Sequence, residues 1–325
     1  MSLHAAANRG FARGLAAAFA ATLIWGSQLP IIKAAFVAID GYSVTLVRYV
    51  IAAAAFTLLL WWREGRGAFA LGARVRPILL TGVFGLGASA LLLFVGLALT
   101  RPEVAVIILA LQPAMTALGE WIVGGPRLPR FTVVCIAIAF AGVALVVTRG
   151  VGLEQLAVAH GPELLGDALV LLAAIAWVGH AMVTARMGGW SPLRVATLTS
   201  IPALVAIVVV WAIAGAFGAV HVDVAALPAV SWRLAYVSLI GVVLGMFLWN
   251  VGLQRTGAVN AMLLLNLMPV ATFAMRAAEG ARFEVAELLG AAIVVGALVA
   301  NSLLQRRAQS IAAFRELQPG ARRVR

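Results

Sequence analysis

The sequence GLALTRPEVAVIILALQP, from Gly96 to Pro113, is repeated as GLQRTGAVNAMLLLNLMP, from Gly252 to Pro269. The two copies align without a gap at a constant shift of 156 residues. Matches in glycine, threonine and proline carry the comparison, because leucine and valine recur by chance in an apolar chain. The matched pairs include Gly96/Gly252, Leu97/Leu253, Thr100/Thr256, Leu111/Leu267 and Pro113/Pro269. A repeat of this length indicates that the chain consists of two related halves.

The composition indicates where the chain folds. Of its 325 residues, 63% are hydrophobic and 11% are charged, and the mean hydropathy is +1.05. Ordinary soluble domains are about 45–50% apolar and about 25% charged. Water cannot solvate so much apolar surface but lipid can, and runs of about 20 apolar residues, long enough to cross a bilayer, recur along the chain. We therefore expect an all-α polytopic membrane protein.

Ten membrane-spanning helices are predicted, separated by short segments rich in Gly, Pro, Arg and Asp. They are Phe11–Val37, Tyr42–Trp62, Arg76–Thr100, Pro102–Gly124, Phe131–Thr148, Glu163–Met187, Pro192–Ala216, Trp232–Gln254, Ala258–Ala278 and Ala286–Leu304. The first five form a repeat over residues 11–148, the second five a repeat over residues 163–304, and a basic tail follows at 305–325. The segment Arg149–Pro162 is long enough to carry a short surface element.

The basic residues predict the orientation. With the N-terminus in the cytoplasm, 17 of the 24 lysines and arginines fall on cytoplasmic segments and six on outer segments. The positive-inside rule therefore places both termini in the cytoplasm. The net charge of +12 comes mostly from these inner segments, which would contact anionic lipid. Nucleic acid is therefore not an expected partner, and the lone Cys135, in mid-span, is interpreted as a small apolar filler.

An odd number of spans per half makes the second half enter the membrane from the opposite side. The two halves are then inverted repeats, an arrangement from which many transporters obtain alternating access. The first helices of the halves agree with this pairing. Trp25 is followed three residues later by Gln28, and Trp177 is followed three residues later by His180. This spacing puts each polar group on the same helix face as its tryptophan.

Several short motifs resemble the EamA family of the drug/metabolite transporter superfamily. They are Trp25-Gly26-Ser27 before Pro30, Arg48 in the second span, the turn Gly96–Thr100 leading to Gln112-Pro113, the repetition of that turn, and Glu279 ten residues after Pro269. The resemblance covers about residues 11 to 304. The first half departs from the pattern, because Val123 stands where the family has an acidic residue, with Glu120 three residues earlier. Within the family the sequence is most similar to bacterial amino-acid exporters of the YddG type.

The resemblance implies a basket of ten helices around a central cavity, in the cytoplasmic membrane of a bacterium. Polar side chains within spans usually face protein or water, so they and the nearby aromatic and methionine residues are the candidates for lining this cavity. The candidates are Trp25, Gln28, Phe94, Gln112, Trp177, His180, Met246, Trp249, Asn250 and Asn266. Asn250 and Asn266 have an alternative role as hydrogen-bonded links between helices. His180 either binds substrate, carries a proton or packs in the interior.

Prolines interrupt several spans, where they remove a backbone hydrogen bond. Pro30, Pro113 and Pro269 are candidate hinges, with a static kink as the alternative. Arg48 is interpreted as structural, paired with Asp40 or with a carbonyl at a helix end.

No enzyme motif occurs: the chain has no H-E-x-x-H, no G-x-S-x-G and no P-loop. Catalytic residues, metal ligands and cofactors are therefore not expected. No fixed charge is expected near the midplane, so neutral substrates are favoured. We predict a secondary transporter that exports amino acids, aromatic and other neutral ones first, working as a monomer in the lipid bilayer. The alternatives are an exporter of another metabolite or drug, and a membrane enzyme that acts on lipid.

Overall fold

The structure is a computed structural model that describes residues 3–125, 128–149, 153–187, 189–256, 264–265 and 267–317. This part of the chain is helical, and its one β-type pairing is an isolated bridge between Ile39 and Val222. In order, the helices are α1 Leu3–Lys33, α2 Gly41–Glu64, α3 Val75–Leu80, α4 Ala88–Leu99, α5 Pro102–Leu109, α6 Gln112–Ile122, α7 Arg130–Thr148, α8 Leu153–Ala185, α9 Pro192–Ala216, α10 Leu227–Ala235, α11 Gly245–Thr256, α12 Met268–Ala278 and α13 Val285–Leu317. A π-helical segment, Thr81–Gly87, joins α3 to α4, and a second, Tyr236–Leu244, joins α10 to α11.

In the described part of the chain, helices occupy nine of the predicted spans and the later part of the ninth along the chain. Eight helical stretches in the described part of the chain are long and apolar enough to cross a membrane, and Val285–Asn301 is a shorter apolar helix. The ninth predicted span is represented by Leu264–Leu265 and α12, and the rest of it lies outside the described residues. The predicted fold class is confirmed: the chain is an all-α polytopic membrane protein made of two five-helix repeats.

Two helices extend beyond their predicted ends. α8 begins at Leu153, so the segment expected to carry a separate surface element is largely part of α8. α13 continues to Leu317, well into the segment assigned to the basic tail. Both extensions are rich in Ala, Leu, Gln, Glu or Arg, which favour helix also outside the bilayer.

The second helix of each half begins with a matched cap. Asp40 caps α2 by accepting a hydrogen bond from the backbone N–H of Ser43, with 2.9 Å from N to Oδ1. Ser191 caps α9 by accepting one from the backbone N–H of Arg194, with 3.0 Å from N to Oγ. Such caps satisfy amide groups that have no partner within the helix. The two caps define equivalent positions in α2 and α9.

The halves pack on each other through equivalent close contacts. α8 lies against α4, and α1 lies against α11, so the first helix of each half contacts the third of the other. A Cβ atom on Gly96 would lie 2.7 Å from the carbonyl oxygen of Gly166, and one on Gly252 would lie 2.6 Å from the Cβ of Ala18. Small residues are what allow helix backbones to approach this closely in a membrane.

The fourth span and the described part of the ninth share a break before a proline. α5 ends at Leu109 and α6 begins at Gln112, so that Pro113 lies in the first turn of α6. Pro269 lies in the first turn of α12. Proline is tolerated there because its missing N–H would have no partner within the helix. Pro30, in contrast, lies inside α1 near its end.

Candidate functional site

The two π-helical segments occupy matched positions in the repeat. The shift of 156 residues carries residues 81–87 onto 237–243, which lie within the second segment. π-helical turns are rare and often mark functional positions in a helix. In this chain, side chains from the neighbouring half bond to backbone carbonyls of these segments, which makes them the scaffold of two polar clusters.

The first cluster, here called the Arg48 cluster, consists of Gln28, Arg48, Phe94 and the carbonyl of Val237. Arg48 is 5% exposed. It donates from Nε to the carbonyl of Val237 over 3.3 Å and from Nη2 to Gln28 Oε1 over 3.1 Å. Its guanidinium carbon lies 3.9 Å from the centre of the Phe94 ring, which is within range of a cation–π interaction.

Two tryptophans adjoin the same π-helical segment. Trp25 donates from Nε1 to the carbonyl of Gly241 over 3.0 Å. Its ring centroid lies 5.3 Å from that of Trp249, with the planes tilted by 47°. The separation and tilt suit an attractive aromatic pair. Trp25 and Gln28 thus both face the segment, as their spacing predicts.

The second cluster, here called the His180 cluster, consists of Thr81, Trp177 and His180. His180 is 6% exposed, and its Nδ1 lies 3.2 Å from Thr81 Oγ1. The rings of Trp177 and His180 are 5.4 Å apart. A Cβ atom on Gly85 would lie 2.8 Å from the Cβ of His180, so the glycine allows α8 to approach the π-helical segment. Thr81 corresponds to Val237 of the Arg48 cluster by the shift of 156.

The other candidate residues are not described as part of either cluster. Gln112 is half-buried in the first turn of α6, where its backbone carbonyl accepts a hydrogen bond from Thr116. Met246 is half-buried on α11. The side chain of Asn250 and all of Asn266 lie outside the described residues. The structure thus brings four of the ten candidates together around the second π-helical segment and two around the first.

The profile of the EamA-like transporter family matches residues 12–148 and 164–303. The chain belongs to the EamA-like transporter family. Because this is a family of transporters, the EamA-like chain is a transporter and not an enzyme. No group of three His, Cys, Asp or Glu side chains that could hold a metal occurs among the residues the structure describes.

Two similar proteins come from Bacillus subtilis (strain 168). The uncharacterized transporter YrdR is 25% identical over 291 residues, which cover 88% of this chain and 90% of YrdR. The uncharacterized transporter YyaM is 28% identical over 263 residues, which cover 79% of this chain and 83% of YyaM. A solved structure described only as "Crystal structure of protein" has a TM-score of 0.64 at 20% identity, over 91% of this chain and 98% of that one. That structure supports the fold of this EamA-like chain.

Ion pairs concentrate at the membrane face where α1 ends, here called the Lys33 face. The described ion pairs of this EamA-like chain all lie there, and two of them, Arg101–Glu287 and Arg276–Glu103, connect the two halves. They are Arg101–Glu287, Arg149–Glu163, Arg149–Glu287 at 3.8 Å, Arg276–Glu103 at 2.8 Å and Arg276–Glu279 at 2.6 Å.

Hydrogen bonds add to these ion pairs at the Lys33 face. Thr100 of the first half donates to Asp167 of the second half. Lys33 donates to the carbonyls of Leu97, Ala98 and Thr100 at 2.6–2.9 Å. The bonds of Arg101, Arg276 and Asp167 hold the halves together at this face, and those of Lys33 tie α1 to the end of α4 within the first half.

A cavity of about 350 Å³ opens on the other side of the molecule, between α2, α9, the second π-helical segment and α11. Its lining is apolar except for Ser191 and includes Phe56, Leu59, Leu193 and Phe247. None of the described candidate side chains lines it. Several lining residues are also exposed on the lipid side, among them Phe247, which is 54% exposed.

Sequence reasoning missed two features of the site. Arg48 does not pair with Asp40, which instead accepts from Ser43 and from the backbone N–H of His221 over 2.9 Å. The carbonyl partner of Arg48 is Val237, the second residue of the π-helical segment that continues α10, so it does not lie at a helix end. An arginine well inside an apolar span is the signal that would have placed it among the candidates.

Proposed function

We propose that this EamA-like transporter exports neutral amino acids, aromatic ones among them, from the cytoplasm of a bacterium by alternating access. The proposal places both termini in the cytoplasm and the Lys33 face outside. The moving units are the two repeats, residues 11–148 and 163–304, and the substrate passes through a central cavity lined by the Arg48 and His180 clusters.

The matched position of the two clusters is the observation that carries this proposal. One lies towards each membrane face, because Gln28 is near the last turn of α1 at the Lys33 face and His180 is near the last turn of α8 at the opposite face. Related sites in inverted repeats allow the two halves to exchange roles when the carrier reverses.

The chemistry of the clusters supports a substrate with an apolar side chain. Trp25, Trp249, Phe94 and Trp177 supply aromatic surface, and Gln28 supplies a neutral polar group. Buried amides and histidines fix an orientation by hydrogen bonds, while aromatic surface takes the apolar part of a ligand. Bulky neutral amino acids such as the aromatic ones, methionine and threonine fit this combination.

The bonds at the Lys33 face support a state closed towards the outside. Export then requires these interactions to break while contacts at the opposite face form. A transporter of this type cycles between such states because the two conformations differ by only a few kcal/mol, so that both are populated.

Efflux from proteoliposomes tests the proposal. Purified protein is reconstituted, preloaded with a radiolabelled amino acid, and the release rate is compared with that of protein-free vesicles for neutral, acidic and basic amino acids. Faster release of neutral amino acids is expected. Preferred release of aspartate or a sugar phosphate, with neutral amino acids retained, would contradict the substrate class and point to another small metabolite.

A further inference from the structure

We propose that Arg48 is the anion anchor of the transport site and that its guanidinium binds the carboxylate of the substrate. The inference rests on the proposed function and deepens it, since it names the group of the substrate that the site recognises. Arg48 is a fixed charge that the sequence already places within the second span. At 1.5 Å per residue it lies about 12 Å along α2 from the Asp40 cap.

The positive charge of Arg48 has only neutral partners. In the part of the chain that the structure describes, no carboxylate lies within 4.0 Å of its guanidinium. The carbonyl of Val237 and the amide oxygen of Gln28 accept its hydrogen bonds, and the Phe94 ring covers it. Charged side chains this deeply buried are normally paired with an opposite charge. Among the described residues, this buried cation therefore has no anionic partner.

The acids nearest to this side of the membrane are engaged elsewhere. Asp40 caps α2, Asp167 accepts from Thr100, and Glu103 pairs with Arg276. Each sits at the Lys33 face, so none of them neutralises Arg48 in this state. An anion that enters with the substrate would supply the missing charge.

The equivalent position of the second half shows that the scaffold does not need a cation. Arg48 is the eighth residue after the Asp40 cap, and Thr199 is the eighth residue after the Ser191 cap. Thr199 is fully buried and bonds within its own helix, from Oγ1 to the carbonyl of Val195 over 2.8 Å. α9 nevertheless packs on the first π-helical segment, where a Cβ on Gly82 would lie 2.7 Å from the carbonyl oxygen of Thr199. The same packing is thus achieved with a neutral residue.

The geometry of Arg48 suits a carboxylate. A guanidinium presents its N–H groups as a planar fork that matches the two oxygens of a carboxylate, and such charged hydrogen bonds are stronger than those to amides and carbonyls. A carboxylate can therefore displace the neutral acceptors Gln28 and Val237. The Trp25–Trp249 pair adjoins the same π-helical segment, with Trp25 bonded to Gly241 one turn from Val237. An amino acid with an aromatic side chain offers a carboxylate to Arg48 and an aromatic ring to the Trp25–Trp249 pair.

This arrangement predicts a rule of selectivity. One guanidinium balances one carboxylate, so a substrate that carries a second carboxylate would bury it without a partner. A compound that lacks the carboxylate would leave Arg48 unpaired. Amino acids with neutral side chains should therefore bind better than acidic ones and much better than their decarboxylated or amidated forms.

The experiment measures the thermal stability of purified protein in detergent with four related ligands: tryptophan, tryptophan amide, tryptamine and indole-3-propionate. The first and last carry a carboxylate, and the other two do not. The variants are Arg48→Gln and Arg48→Lys, with Arg63→Gln as the matched control, because Arg63 is an exposed arginine on the same helix. Efflux of tryptophan is measured on the same preparations.

The two carboxylates are expected to stabilise the parent protein and Arg63→Gln at concentrations about 10- to 100-fold lower than the amide and the amine, the range for hydrogen bonds to a charged group. Arg48→Gln should abolish this difference, and Arg48→Lys should reduce it because an ammonium lacks the planar fork. Equal stabilisation of the parent by all four ligands, or by none, would overturn the anchor. So would a parent-like preference in Arg48→Gln.

The outcomes separate the anchor from the proposed function. Discrimination of carboxylates through Arg48 without amino-acid efflux would uphold the anchor and refute the proposed substrate. Amino-acid efflux without discrimination of carboxylates would uphold the proposed substrate and refute the anchor. If Arg48→Gln cannot be purified as a folded protein, Arg48→Lys decides, because an unchanged response to all four ligands would overturn the anchor.

Discussion

Glu103 and Arg276 form an ion pair across the boundary between the two halves, with 2.8 Å from Oε1 to Nε. Glu103 is 3% exposed, and its second oxygen, Oε2, is buried without a hydrogen bond to any residue that the structure describes. Glu103 belongs to α5, all of whose residues are buried, whereas Arg276 belongs to α12 of the other half. Under the proposed alternating access, opening the Lys33 face would have to separate this pair and expose the helix behind it.

Removing the Glu103–Arg276 pair should favour a state that is open at the Lys33 face. We expect Glu103→Gln to increase labelling of Ser27→Cys by a membrane-impermeant thiol reagent from that side, in a Cys135→Ala background. The increase should be about fivefold, corresponding to about 1 kcal/mol, because the side chain of Arg276 is 30% exposed and the pair is partly screened.

The control for this change is Glu284→Gln, since Glu284 is exposed at the same face and its side chain has no described ion pair. It should leave the labelling rate unchanged. Equal labelling of Ser27→Cys in the parent and Glu103→Gln would contradict a role of the pair in closing this face.

The His180 cluster should be needed for transport. We expect His180→Ala and Trp177→Ala to reduce efflux about tenfold or more while membrane abundance stays near normal, because each removes a group proposed to line the cavity. His180→Gln should retain much of the activity, since glutamine stands at the equivalent position 28 and can still bond to Thr81. Efflux rates normalised to protein amount measure this effect. Parent-like transport by both alanine variants would exclude α8 from the route.

The close approach of α8 to α4 should depend on Gly166. A Cβ there would lie 2.7 Å from the carbonyl oxygen of Gly96 and 2.8 Å from the backbone nitrogen of Thr100, and neither backbone atom can move freely. We expect Gly166→Ala to destabilise the protein by about 1–3 kcal/mol, as overpacking does. Thermal unfolding followed by tryptophan fluorescence measures the change.

Gly179 provides the matched control on the same helix. No atom outside its own helix lies within 4 Å of a Cβ placed there. Gly179→Ala should therefore be neutral or slightly stabilising, because alanine favours helix by about 1 kcal/mol over glycine. Equal losses of stability at both positions would show that the α8–α4 contact is not the reason why alanine destabilises the protein at position 166.

The membrane orientation has its own test. In a Cys135→Ala background, Asp223→Cys should react with an impermeant thiol reagent added to intact cells, because Asp223 is exposed in the loop that pairs with Ala38 at the Lys33 face. Arg66→Cys, exposed at the opposite face, should react only after permeabilisation. Tags at both termini should be protected in intact cells. The reverse pattern would invert the proposed topology.

Much of the fold follows from the sequence alone. Apolar runs of about 20 residues have one way to satisfy their backbone in lipid, which is to form helices, so their number and positions are predictable. The 156-residue shift predicted that Gly96 and Gly252 are equivalent, and both allow close helix contacts. The start of α8 at Leu153 and the end of α13 at Leu317 were less predictable, because both lie outside the apolar runs and no change in hydrophobicity marks them.

The site was predictable only in part. Trp25 and Gln28 share a face by helical spacing, and local periodicity is sufficient to show it. The partner of each polar group was not predictable, because it lies on the other half of the chain: Arg48 meets Val237 at a separation of 189 residues. Of the two partners expected for Arg48, a helix-end carbonyl or Asp40, Asp40 was wrong because its carboxylate is used locally, as a helix cap.

Sequence by itself thus determined the membrane setting, the ten helices and the duplication, since these depend on hydrophobicity and local periodicity. Only the tertiary structure decided that Arg48 is buried with no described carboxylate beside it and that pairs such as Arg276–Glu103 connect the halves at the Lys33 face. Both depend on which side chains meet between the inverted halves. The free energy of a buried charge depends on those partners, and its position in the sequence does not reveal them.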